Sequence, residues 1–568
     1  MHRAFAIPEL VFRIVDMFVE VENTDETDGD GPYVVDRPAL AACARTCQAF
    51  YLPAITALWK DRDLDIETVL LHCMPADLWE VQRETSSSFY KRNVTDYLVL
   101  RRSIRHEDLD RLFVVAPLVN KLIFGRAANV FHRSVAKELT QESYLHLASV
   151  LPVGIFSRLR HLVWEGQSAD LDYLPVFLSP SLKSLHLQYI KTSGPRLDII
   201  SRLPERCPNI TQFDFMILPF DDFGFNNNAK DVVKSRLARL TRAWNLRGLA
   251  TNITAYNSLS TLGQLPDLRS LWLTFENDPV AIPVFFQPGS FRFMRDIFLD
   301  RINMRTIIAL LQSSTFHSLR SLILRGPVDA TSGDWSVLLR AVRSAVISPM
   351  SVESLSIDEG YCIAGATPHE STEAITDTDL VPLFDFHNLA LLFLELPGGF
   401  DLQDATIDRM AKSLPRLEGL GLKSQHPPRS QRRLSLSVLA PLALHCPRLK
   451  FARLDLDARG KSFLGSPPPT YQACSLESLD VGYSPITSSH AVAMYLAAWF
   501  PQLAAVGYDR DSDSSSLWEG VQKRLAAAQM AREVARLEGE GESRAAAMAR
   551  LGLGDGENTV ESSEEEAG

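Results

Sequence analysis

Along this 568-residue chain one apolar cadence recurs: an apolar residue, two of any type, a second apolar residue, one of any type, and a third. It reads Leu182-Lys-Ser-Leu185-His-Leu187, Leu268-Arg-Ser-Leu271-Trp-Leu273, Leu319-Arg-Ser-Leu322-Ile-Leu324 and Leu476-Glu-Ser-Leu479-Asp-Val481. The first positions fall at Val94, Val119, Leu159, Leu182, Ile210, Leu268, Met294, Leu319, Val352, Leu389, Leu417, Leu449, Leu476 and Leu503, with a degenerate unit expected around Leu246 and Leu249. From Leu268 onward the spacing averages about 29 residues, a solenoid period. Successive strand side chains alternate, so the pattern predicts strands with Leu271 and Leu273 on one side and Trp272 on the other. The remaining residues of each unit must carry the chain back, mostly as helix. A proline precedes several strands, in Cys207-Pro208, Leu265-Pro266, Leu414-Pro415, Cys446-Pro447 and Phe500-Pro501. Each disfavours helical geometry in the residue before it and so closes the returning helix. Units that supply one strand and one helix cannot bury their apolar sides alone, and stacking is the remedy. An ordinary α/β fold with several parallel strands is the alternative.

The pattern changes at both ends. Leu10, Ile14 and Phe18 recur at helical spacing behind Ile7-Pro8-Glu9, where Pro8 suits a first turn and Glu9 suits the helix dipole. A second helical stretch runs through Leu40, Ala44, Cys47, Phe50, Ile55, Leu58 and Trp59. So small a helical module needs the repeats or a partner to complete its core. At the other end Ser516-Leu-Trp-Glu519 has capping-box spacing and opens a helix expected to reach about Leu537 and to cap the last repeat. A short helix is expected over Ser543–Leu551, and an acidic, disordered tail beyond Gly552.

The cadence resembles the leucine-rich repeat family in a long-period, degenerate form over roughly residues 90–510, although the asparagine usual after the strand in that family is mostly absent. The resemblance implies an α/β solenoid: a horseshoe with a parallel sheet on its concave side and helices outside. Residues 5–62 resemble an F-box: an Ile-Pro start, an apolar helix, then Leu40, Ala44, Arg45, Cys47 and Phe50, then Leu58-Trp59. An acidic insert at 20–35 departs from the short connection usual there. In that family the module docks onto the small adaptor of cullin-RING ubiquitin ligases and downstream repeats hold the target. Carried over, Ile7, Pro8, Leu10, Ile14, Leu40, Cys47, Phe50 and Trp59 would form the adaptor-docking core. The expected organisation is therefore an F-box-like module at 1–65, repeats at 90–510, C-terminal helices at 511–551 and the tail at 552–568.

Composition narrows the function classes. Hydrophobic content of 46% and charged content of 22% are ordinary for a globular protein. The longest apolar stretch, Ala491–Phe500, is too short for a membrane span, and Pro8 and Glu9 interrupt any secretory leader. The net charge of −11 has its origin in two base-free acidic runs, at 20–30 and 557–566. No clustered Lys/Arg footprint stands out along the sequence, so neither nucleic acid nor membrane is an expected partner. Seven scattered cysteines with no CxxC pair fit a reducing cytoplasm or nucleus. GxxxxGK[ST], HExxH and GxSxG are absent, and neither metal nor cofactor is expected.

Specificity should then lie on the strand face opposite the buried residues. There Trp272, Phe298 and Phe393 stand among Asp296, Asp300, Arg325, Asp358 and Glu395, with Phe451 further on. Aromatics among charges are contact chemistry, and the excess of carboxylates points to a partner with basic and apolar features. The resulting expectation is a non-enzymatic substrate-recognition subunit of an SCF-type ubiquitin ligase, binding the adaptor, and through it the cullin, with its N-terminal helices and an unidentified target with its repeats. The alternative is a repeat scaffold or sensor whose N-terminal helices only cap the solenoid.

Overall fold

The computed structural model describes residues 7–21, 33–59, 64–88, 91–124, 137–165, 171–190, 198–217, 227–252, 258–275, 286–326, 332–358, 374–396, 398–424, 433–460, 467–468, 471, 474–510 and 512–539. Most of the acidic insert, Cys362, the expected Ser543–Leu551 helix and the acidic tail lie outside them. The chain is mixed α/β and divides into two units, Met1–Leu299 and Asp300–Gly568.

The first unit opens with three helices, α1 (Pro8–Asp16), α2 (Arg37–Thr46) and α3 (Gln48–Trp59). Asp36 caps α2 by accepting from the Ala39 N–H at 3.0 Å. Val11 and Val15 from α1 meet Leu40 from α2 and Phe50, Ala54 and Ala57 from α3 in one buried cluster, edged by Ile14, Phe18, Cys43, Cys47 and Leu58. Next comes an antiparallel hairpin, Trp79–Ser88 with Lys91–Leu100, pinned by the Arg83 Nε–Asp96 Oδ1 contact at 2.7 Å. Val94 belongs to this hairpin, which corrects the expectation that a repeat begins there.

Parallel strands begin one unit later. Lys121–Phe124, His161–Glu165, Ser184–Ile190, Gln212–Ile217, Gly248–Thr251 and Ser270–Thr274 pair in that order. Asp296–Asp300 follows, its Arg295 and Asp296 amides donating to Arg269 O. The degenerate unit around Leu246 is thus a genuine strand, Gly248–Thr251. In the second unit the parallel strands are Ser321–Arg325, Ser354–Asp358, Leu391–Leu396, Gly419–Ser424, Phe451–Leu454, Ser478–Asp480 and Ala505–Gly507. Each unit thus carries a run of parallel strands, with one register shift in the first, between Leu187 and Ile190.

Burial explains why the register is so regular. Every first apolar position from Val119 to Leu503, Leu246 included, is buried, as are the alternate strand residues behind it. The other alternates form an open face in each unit. Helices return the chain on the buried side, and four of the five pre-proline residues directly follow a helix end, while Leu265 lies three residues beyond the helix Ser258–Leu262. Leu414, Cys446 and Phe500 all take φ near −120 to −129° and ψ near 62 to 76° at the helix ends. Cys446 is fully buried and its thiol donates to Leu414 O at 3.5 Å, while Cys474 donates likewise to Cys446 O at 3.5 Å. Burial pushes the Cys446 thiol up to about 12, so these cysteines are small buried hydrogen-bond donors and inert. All six described cysteines are free.

Candidate partner-binding surfaces

The eight residues expected in adaptor docking divide by burial. Leu40 and Phe50 lie inside the module's own core, and Ile14, Cys47 and Trp59 are half-buried. Ile7, Pro8 and Leu10 are exposed on α1. The sequence reading missed their neighbours: Phe12 and Met17 on α1 and Tyr51 and Leu52 on α3 are exposed as well. The period Leu10, Ile14 and Phe18 gives no sign of them, because the structure buries Val11 and Val15 while Ile14 is half-buried and Leu10 exposed.

On the open face of the first unit, Trp272 is 48% exposed and its ring centroid lies 4.2 Å from that of half-buried Phe298. Exposed Asp296 shares the Phe298 strand, which ends on half-buried Asp300. Ala250 is the register partner of both Asp214 and Trp272, so a small residue separates the aromatic pair from a polar network. In that network Ser184 Oγ lies 2.7 Å from His186 Nε2, and Asp214 Oδ2 accepts from His186 Nδ1 at 3.3 Å and from Gln188 Nε2 at 2.7 Å. The order serine, histidine, aspartate resembles a hydrolase triad, but Ser184 is 1% exposed and its N–H is bound to Arg160 O. A nucleophile needs access and a nearby pair of free amides for the oxyanion. The network therefore cross-links two strands.

The second unit's open face is built differently. Gly419 and Gly421 occupy both open-face positions at the start of the strand Gly419–Ser424. A Cβ on Gly421 would lie 2.5 Å from Phe393 Cδ1, and one on Gly419 would lie 2.5 Å from Phe451 Cε2. The two rings fill these hollows and stack at 5.7 Å with 19° between planes. Arg453 reaches across the glycine strand to Glu395 at 2.7 Å. Arg325 pairs with Asp358 at 3.6 Å and Lys423 with Asp480 at 3.0 Å. Three of the open-face carboxylates, Asp358, Glu395 and Asp480, are thus paired with cations of the same chain. Asp455 is pushed up to about 6 because burial outweighs the Ser424 N–H, Lys423 and Arg433 beside it.

Among the described residues no group of three or more His, Cys, Asp or Glu could hold a metal ion, and no helix is long and apolar enough to cross a membrane. No protein-family model matches the sequence, and no curated protein matches it. Solved structures with similarity include the Rad7 and Elc1 complex of yeast, at 17% identity over 62% of this chain and 78% of that one, with a TM-score of 0.37. They also include the C-terminal domain of tropomodulin from Caenorhabditis elegans, at 13% identity over 42% of this chain and 99% of that one, with a TM-score of 0.18. Neither score is high enough for a functional conclusion to rest on it.

Proposed function

We propose that this protein is a non-catalytic substrate receptor of a cullin-RING ubiquitin ligase, an F-box-like module joined to leucine-rich repeats. The observation that carries the reading is how the N-terminal helices spend their apolar residues. Val11, Val15, Leu40, Phe50, Ala54 and Ala57 close a core within residues 11–57. Ile7, Leu10, Phe12 and Met17 on α1, with Tyr51 and Leu52 on α3, are left exposed on the same short module. Exposed apolar side chains concentrated on so small a surface mark a protein interface. Two of them, Ile7 and Leu10, are residues that the F-box resemblance assigns to adaptor docking.

The receptor works by proximity. One end holds the adaptor and the open strand faces hold a target, so a target lysine is kept near the recruited conjugating enzyme at high effective concentration. Nothing in this scheme asks the receptor for a nucleophile or a base. Co-expression of the full chain with the adaptor tests it: the two should co-purify, and Leu10→Glu with Phe12→Glu should abolish the complex while the melting temperature stays put, since both residues are already solvent-exposed. Absence of co-purification by the unaltered chain would overturn the proposal.

A further inference from the structure

The strand Gly248–Thr251 turns its two smallest residues, Gly248 and Ala250, to the open face of the first unit. Gln212 and Asp214 lie directly across from them on one side, Ser270 and Trp272 on the other. The flanking strands stand two spacings apart, roughly 10 Å, so Gly248 and Ala250 floor a trough one side chain wide. In the second unit the chain fills the corresponding hollows itself, with the rings of Phe393 and Phe451 over Gly421 and Gly419. The first unit leaves its hollow open. Among the described residues, a Cβ on Gly248 would come no nearer than 3.6 Å to Gln212 Cγ and 4.0 Å to Ser270 Cβ.

The two walls of the trough differ in chemistry. One is the half-exposed indole of Trp272, backed by Phe298. The other is Asp214, which is 8% exposed. Its Oδ2 is taken by His186 Nδ1 and Gln188 Nε2, both on the strand Ser184–Ile190, on the side away from Ala250. Its Oδ1 is buried and accepts no hydrogen bond. Buried acceptors are almost always paired, so this oxygen marks a place for a donor. Among the described residues Asp214 has an ion-pair contact with His186 but none with a Lys or Arg. Asp358, Glu395 and Asp480 on the second unit's face each have one.

We propose that this trough receives an arginine side chain of the target protein. A guanidinium is flat, stacks on an indole, and carries donors along its edge that can serve a carboxylate at the same time. A lysine ammonium lacks the flat face. An acidic side chain would be repelled by Asp214, and a wholly apolar one would leave Oδ1 buried without a donor. His186 and Gln188 then act as positioning residues, holding one carboxylate oxygen so that the other stays available. The inference rests on the target-holding half of the proposed function and does not involve the adaptor.

The test is saturation-transfer NMR of N-acetyl-arginine methylamide with the full chain. Saturable millimolar binding is expected, and the citrulline counterpart, alike in shape but uncharged, should bind about tenfold more weakly or worse. Ala250→Leu fills the trough and should weaken arginine binding about tenfold or more. Asp408→Asn, which removes an exposed carboxylate from the helix Asp404–Ser413, should change it less than about twofold. The citrulline comparison uses the unaltered chain and so decides even where Ala250→Leu lowers the melting temperature. The proposal is overturned if the arginine derivative shows no saturable transfer, if the citrulline or lysine derivative binds as tightly, or if a folded Ala250→Leu protein binds undiminished. Adaptor co-purification reads the receptor assignment separately, so either can fail while the other stands.

Discussion

The side-chain amide of Gln522 stands in for a missing strand beside Val506: its Oε1 accepts the Val506 N–H at 2.6 Å while its Nε2 donates to Ala504 O at 3.0 Å. Ala505–Gly507 is the last strand of the second unit, and an unpaired edge of this kind invites pairing with another chain. The helix Ser515–Gly539 covers it. Trp518 is fully buried with Nε1 donating to Ser484 O at 2.7 Å, and Gln529 Nε2 and Arg532 Nη1 reach Leu503 O and Pro501 O. Gln522→Ala should lower stability by about 1 kcal/mol and Trp518→Ala by about 3–5 kcal/mol. Light scattering should then show concentration-dependent self-association of both variants; a monodisperse, fully folded Trp518→Ala protein would contradict the capping role.

The aromatic stack of the second unit depends on the absence of two side chains. Gly421→Ala forces Phe393 off its ring position, because the added carbon would lie 2.5 Å from Cδ1. A loss of about 1–3 kcal/mol is expected from such overpacking. Phe393→Leu alone should cost less, and the double variant should recover part of the Gly421→Ala loss. Denaturant titration of the four proteins checks this, and additive losses would mean that ring and glycine are not in contact.

Trp272 and Phe298 behave as contact residues if the open face holds a target. Truncating a half-exposed tryptophan removes little core, so Trp272→Ala should shift stability by under about 1 kcal/mol. Binding of a target, once one is identified by proximity labelling, should fall by about tenfold or more. Undiminished target capture by the Trp272→Ala, Phe298→Ala double variant would remove this face from the interface.

Much of this architecture was legible as sequence because burial repeats with period two inside each strand and with a helix length between strands. That is why Val119 through Leu503 fall where expected, and why the irregular unit at Leu246 could be inferred from a double-length gap. Val94 misleads for the same reason. A hairpin strand alternates as a repeat strand does, and only its partner, Trp79–Ser88, distinguishes the two. Charge pairing was not legible. Glu395 and Arg453, or Lys423 and Asp480, are separated by two repeats and meet by skipping a strand. Local spacing carries no trace of such contacts. Nor could it foretell that Arg325 would be held by Asp358 one repeat later.

Glu67 supplies a pH dependence whose sign is fixed by burial. It lies on the helix Ile66–Cys73 among Ile66, Val69 and Leu70, with Tyr144 Oη donating to its Oε1 at 3.1 Å. Desolvation raises its carboxyl to about 8, against hydrogen bonds that favour the ion, and nearby Asp65 adds to the rise. The folded chain therefore binds this proton more tightly than the unfolded chain, whose glutamate titrates near 4.5. Below that value both states are protonated and the group's contribution is complete. As pH rises from about 4.5 to 8 the unfolded state gains by losing the proton, so stability declines, and above 8 the decline stops. Glu67→Gln keeps the shape and the acceptor for Tyr144 without the proton. It should raise stability at pH 7.5 by on the order of 1–2 kcal/mol and change little at pH 4.5. Melting curves of the two proteins across that range decide the matter: a difference that stays constant with pH, or that grows toward acid, would place the charged carboxylate in the folded state.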